Sequence, residues 1–163
     1  MSKKEDSLYL TIKQEYFDQI VAGTKKEEYR EIKPTTYKKY VECDEDGNAY
    51  YNADLIDDEG LQIVIDPMDL LFIYNEGKCV LLPKEDLKYL NLAVGYNKVR
   101  DTAKVEIKGV SFEPMSDPKT NRPIRFDFDQ EGNQYRDDKK GRFCFWIAVF
   151  HLGKIVEKNI VNN

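Results

Sequence analysis

Along "LYLTIKQ" (residues 8–14) large apolar residues alternate with polar ones, the period of a strand with one buried face. The period then changes. In "EYFDQIVAG" Phe17, Ile20 and Val21 fall on one helical stripe, and Gly23 stands where a helix commonly ends. A return strand is predicted over about 25 to 32, stopped before Pro34, because proline restricts the residue ahead of it. "TTYKKYVEC" predicts a short helix with Tyr37, Tyr40 and Val41 on its buried side. "EDGNAYY" and "DDEGLQIVID" read as turns feeding short strands. "DLLFIYNE" and "CVLLP" read as buried strands around a turn at "EGK", and "KEDLKYL" as a single helical turn. "DTAKVEIKGVSFEP" alternates again, with Val105, Ile107 and Val110 marking a strand that has room for a bulge. A proline-containing loop, "EPMSDPKTNRPI", leads into a predicted hairpin, "RFDFDQEGNQYRDD". The longest apolar block, "RFCFWIAVFHLGKIVEKN", predicts a central strand.

Few helices and many short strands point to an α+β, mainly β chain: a small closed or partly closed barrel with one or two packed helices. A length of 163 residues fits one domain, and 41% hydrophobic residues supply a core that a disordered chain lacks. No apolar run reaches the length of a membrane span, and "MSKKEDS" lacks the apolar block of a signal peptide. The expectation is a cytoplasmic protein with no membrane partner. Cys43, Cys79 and Cys144 are far apart and show neither metal spacing nor a disulfide framework, so a reducing compartment and no cofactor or metal are expected. Trp146, inside the apolar block, reads as core, and His151 as a strand-end residue.

The net charge of −5 is unevenly spread. Residues 43–69 carry nine acids and no lysine or arginine, so the rest has 25 bases against 21 acids (30 − 9). The acidity is thus a local insertion, over about 43–67, and the body is left able to present a basic face. The insertion reads either as a solvated loop or as a binding segment for a basic protein partner, of identity unknown.

Candidate chemistry concentrates in "GTKKEEYREIKP" (23–34), where seven of twelve residues are charged. Lys25 supplies a mobile ammonium for a phosphate, or a base or nucleophile when desolvated. Arg30 offers a planar fork for phosphate, carboxylate or a base edge. In a strict strand Lys26, Glu28, Arg30 and Ile32 share one face and Lys25, Glu27, Tyr29 and Glu31 the other. Lys25 and Glu28 then meet only through a bulge or a turn near Gly23. The competing reading is a structural ion pair between Glu28 and Arg30 at the barrel mouth, of small energetic value. In "GYNKVR" Tyr96 can stack on a base, Asn97 can read a base edge, and Lys98 and Arg100 can neutralise phosphates. The same loop also reads as an ordinary surface turn whose tyrosine packs on the barrel. "DFDQEGNQYRDD" spaces Asp127, Asp129, Glu131, Gly132 and Asp138 like a calcium loop, but its flanks do not read as helices and its last ligand is the shorter aspartate.

"LYLTIKQEYFDQIVAGTKKEEYREIKP" resembles the ASCH domain, a branch of the PUA-like fold associated with RNA. The family's G-x-K-x-x-E-x-R pattern is met by Gly23, Lys25, Glu28 and Arg30. The longer form "KKEEYREIKP" looks most like the small stand-alone ASCH proteins of bacteria and their phages. "VGYNKVRDTAKVEIKG" is similar to their segment with a Gly-Tyr pair ahead of a strand. The resemblance covers roughly residues 8–40 and 92–112; residues 43–69 and 113–141 have no counterpart, so 113–141 is a second, loop-and-hairpin insertion. It implies a single domain over 1–163, a β-barrel with a cleft beside the first helix, and RNA or a modified nucleoside as partner. Lys25, Lys26, Arg30, Tyr96, Asn97, Lys98 and Arg100 would then bind the ligand. It also implies a hydrolase alternative using Lys25 and Glu28, acting as an amidohydrolase on acetylated cytidine or as a ribonuclease. The amidohydrolase branch pairs its lysine with a threonine and a distant glutamate. Here Glu28 stands at the threonine's place, which alters any shared mechanism.

Overall fold

The computed structural model describes residues 6–55 and 67–161. These residues form a mainly β, α+β fold with one α-helix. In chain order come β1 (Ser7–Ile12), α1 (Gln14–Ala22), β2 (Glu27–Glu31), β3 (Tyr89–Val94) and β4 (Thr102–Pro114). β5 (Arg125–Phe128), β6 (Gln134–Arg136), β7 (Phe143–Cys144) and β8 (Trp146–Asn159) follow. One sheet has the order β1-β3-β4-β8-β2 and the other β6-β5-β7. Among the described residues the larger order begins at β1 and ends at β2, so the sheet stays open where a closed barrel was one expectation. The apolar block does supply an interior strand, β8, with a neighbour on each side. No helix among the described residues is long and apolar enough to cross a membrane.

The chain packs as two compact units, 1–29 with 85–110 and 149–163, and 30–84 with 111–148. The described parts of both stretches that lack a counterpart in the ASCH pattern, 43–55 with 67–69 and 113–141, fall in the second unit. In the first unit β1 runs parallel to β3 and β3 antiparallel to β4. The register sets Leu10 against Leu92 and Leu92 against Ala103, all buried. It also sets Tyr9 against Asn91 and Asn91 against Lys104, a polar row on the other face. α1 packs on β3 and buries Phe17 and Ile20. Each large apolar side chain so buried contributes about 1.5–3 kcal/mol. Asp101, 4% exposed, accepts hydrogen bonds from Gln14 Nε2 (3.0 Å) and the Val161 N–H (2.8 Å). A buried carboxylate so satisfied ties the start of α1 to the C-terminal stretch.

In the second unit Trp146 is fully buried and its Nε1 donates to the Ile73 carbonyl at 2.9 Å, so it is core as expected. The predicted hairpin forms as β5 and β6, and Phe126 stacks on Phe143 and Phe145. "TTYKKYVEC" yields only a 3-10 turn at Tyr37–Lys39, with Tyr37, Tyr40 and Val41 buried as predicted.

Four expectations need correction. "DLLFIYNE" is not a strand but two 3-10 turns, Pro67–Leu71 and Asn75–Gly77, because Asn75, Glu76 and Gly77 all have left-handed φ that no strand tolerates. "CVLLP" makes only isolated bridges, Tyr51 with Leu81 and Val41 with Pro83, and proline has no N–H with which to extend a ladder. "KEDLKYL" is not helical: the Lys88 and Tyr89 N–H groups bond to the Asp6 carbonyl and draw the chain into β3 beside β1. His151 lies within β8 and not at a strand end. "DDEGLQIVID" lies outside the described residues.

Candidate functional site

The site is built at the turn that follows α1. Gly23, at φ +80°, terminates the helix, and its N–H bonds to the Ile20 carbonyl. The Thr24 and Lys25 N–H groups both bond to the Gln19 carbonyl, at 3.0 and 3.1 Å. This reversal keeps Lys25 ahead of β2 and out of strand alternation, the condition under which it reaches Glu28. Lys25 Nζ stands 3.7 Å from Glu28 Oε1, the two side chains being 16% and 7% exposed. The ammonium also faces the rings of Tyr29 and Tyr16, at 5.0 and 5.3 Å from their centroids. The Tyr29 N–H donates to the same Glu28 oxygen at 3.0 Å.

The turn borders an open cleft of about 540 Å³, within the size range of small-ligand sites. Ile20, Gly23, Lys25 and Lys26 line it from α1 and the turn, Glu106 and Lys108 from β4, and Leu152, Gly153 and Lys154 from β8. Four lysines and one glutamate therefore line it, and even with Lys25 beside Glu28 the balance of charge is suited to an anion. Gly153 lets the Glu106 side chain lie across β8, since a Cβ there would run into the Glu106 carboxylate and sit 3.1 Å from Lys108 Cγ. His151 Nδ1 stands 3.3 Å from Glu27 Oε2 on the neighbouring strand.

The other predicted residues separate. Arg30 is half-buried, belongs to the second unit and does not line the cleft. Tyr96, Asn97 and Lys98 project from the loop between β3 and β4, with Tyr96 88% exposed. Arg100 folds back on that loop, its Nη1 donating to the Gly95 carbonyl at 2.7 Å. It lines a second hollow, of about 310 Å³, with Tyr9, Asn91, Thr102 and Lys104. Glu106, Lys108, Lys154, Tyr9, Asn91 and Lys104 were not singled out as site residues. The signal for three of them was present: alternation in "TAKVEIKG" sets Lys104, Glu106 and Lys108 on the face opposite Val105 and Ile107.

Two other sets of groups are committed elsewhere. Asp127 receives both Nε and Nη2 of Arg142 (2.9 and 2.6 Å), and Asp138 receives Nε and Nη2 of Arg136 (2.9 and 2.7 Å). The two end carboxylates of the calcium-like spacing are thus held in guanidinium forks. Burial pushes the Cys79 thiol up to about 12 and raises Cys144 as well, which keeps both from acting as thiolate nucleophiles.

Comparison of the chain with protein-family models, with curated proteins and with solved structures gives no match.

Proposed function

We propose that this chain is an ASCH-type, PUA-like protein that binds RNA, or a modified nucleoside in its phosphorylated form, in the cleft beside α1. The observation that carries the reading is the convergence of Lys25, Lys26, Lys108 and Lys154 on one hollow beside the helix end. Lysines are point charges that meet phosphate oxygens without fixed geometry, and Gly23, where a Cβ would meet nothing within 4 Å, leaves room for a ligand at the backbone. The G-x-K-x-x-E-x-R spacing and the strand-helix-strand order of β1, α1 and β2 add to it.

The test is binding of cytidine monophosphate and of a short single-stranded RNA across a salt series, with a Lys26→Gln/Lys108→Gln variant beside the parent chain. The expected result is an affinity that falls with salt and drops in the variant for both probes. No binding at low salt, or binding indifferent to both salt and the substitutions, overturns the reading.

One observation favours hydrolysis as a second reading: Glu106 lines the same cleft as Lys25, so a ligand entering it would have a carboxylate and a lysine on its walls. Glu28 does not line it, which weakens the pairing of Lys25 with Glu28 for chemistry. Turnover of acetylcytidine, or cleavage of labelled RNA, that is lost in Glu106→Gln would support the second reading. Absence of both reactions in the parent chain removes it.

A further inference from the structure

We infer that the hollow around Tyr9 and Lys104 is a second nucleotide subsite, joined to the cleft along β4, so that the ligand is a short single-stranded RNA and not an isolated nucleoside. The inference rests on the binding reading of the cleft and extends it. Thr102, Lys104, Glu106 and Lys108 alternate onto one face of β4; the first two line the hollow and the last two the cleft. Lys104 and Lys108, four residues apart on a strand, stand about 13 Å from each other, a separation suited to linked nucleotides. All of these residues belong to the first unit.

The hollow contains the groups that a base and a phosphate require. Tyr9 is 69% exposed on the edge strand β1, an aromatic face open to stacking. The register sets Asn91 beside it and Lys104 beyond, so stacking surface, amide and ammonium follow in one row across three strands. Lys104 Nζ lies 4.6 Å from the Tyr89 ring centroid, which steadies the ammonium. Arg100 and Lys158 add two further cations, and Glu157 is the acid that partly offsets them. Asparagine reads base edges, and a stacking platform with lysines beside it tolerates many sequences.

The experiment compares cytidine monophosphate with di-, tetra- and octanucleotide RNAs, with matched single-stranded DNA as a further arm, on the full chain and on Tyr9→Ala and Lys104→Gln. The expected result is affinity that rises with length in the parent. Tyr9→Ala should weaken the octanucleotide by roughly fivefold to a hundredfold. Lys104→Gln should lower its salt slope by about 0.7. Both variants should leave the mononucleotide unchanged, which also reports that they fold. An equal gain with length on DNA supports the track and assigns no preference to the sugar. Mononucleotide binding with no gain from length, or octanucleotide binding unaffected by both substitutions, overturns this inference and leaves the cleft reading standing. Failure of every probe overturns both.

Discussion

Lys25 and Lys26 are neighbours in sequence with different surroundings. Lys26 is exposed at the cleft wall, whereas Lys25 is 16% exposed, beside Glu28 and facing two tyrosine rings. Removing Lys25 deprives a nearly buried carboxylate of its neighbouring cation and strips two ring contacts. Lys25→Met is therefore expected to lower stability by about 1–3 kcal/mol, while Lys26→Met leaves the melting temperature unchanged. Both should weaken ligand binding, so thermal melts run beside titrations separate structural from recognition roles. Equal melting temperatures for the two variants would remove the structural part played by the Lys25–Glu28 pair. This contact was legible in the sequence as a condition: a turn at Gly23 had to carry Lys25 out of alternation, and Gly23 is left-handed. Arg30 was less legible. Its place in the motif gives its type and spacing but not the wall it lines, since that depends on neighbours far along the chain.

Two glycines show how elements meet. At Gly141 a Cβ would come within 2.6 Å of the Asp137 carbonyl oxygen and the Phe126 nitrogen, both backbone atoms that cannot give way. At Gly153 the nearest obstacle is the far end of the flexible Glu106 side chain. Gly141→Ala should thus cost about 1–3 kcal/mol or more. Gly153→Ala should cost much less, displacing Glu106 and reshaping the cleft instead. Denaturant unfolding of the two variants checks the order, and the reverse order would contradict the packing described. The elements that the sequence made legible share a cause. β1, α1 and β4 carry clear periods, α1 and β2 also have a glycine or proline to end them, and β8 was announced by the length of its apolar block. Residues 69–83 were misread because apolar content without period does not distinguish a strand from consecutive 3-10 turns, and the left-handed run at Asn75–Gly77 has only one glycine to announce it. β3 was misread at its start because Asp6, over eighty residues away in sequence, supplies the partner carbonyl for Lys88 and Tyr89.

At the scale of the whole molecule, charge is distributed between different tasks. The lysines of the cleft and hollow line open surfaces, whereas Arg142 and Arg136 are engaged by aspartates around the β5–β6 hairpin. The mean charge of the chain revealed neither, because pairing and position are set by the fold. The hairpin pairs have a consequence for acid stability. Hydrogen bonds from the Arg142 guanidinium hold the Asp127 carboxyl below its usual range, against an opposing effect of burial. A carboxyl depressed in the folded state contributes stability that is complete above its unfolded value, about 3.9, and that is lost as pH falls through the lower folded value. Asp127→Asn removes the charge and the bidentate pair, so it should be less stable than the parent at neutral pH by about 1–2 kcal/mol, allowing for the half-exposed guanidinium. That gap should narrow as the pH drops below about 4, where the parent's own carboxyl takes up its proton. Urea unfolding of the two proteins at a series of pH values measures the gap directly. A difference that stayed constant down to strongly acid pH would mean that shape or packing at this position, and not the ionised pair with Arg142, accounts for the loss.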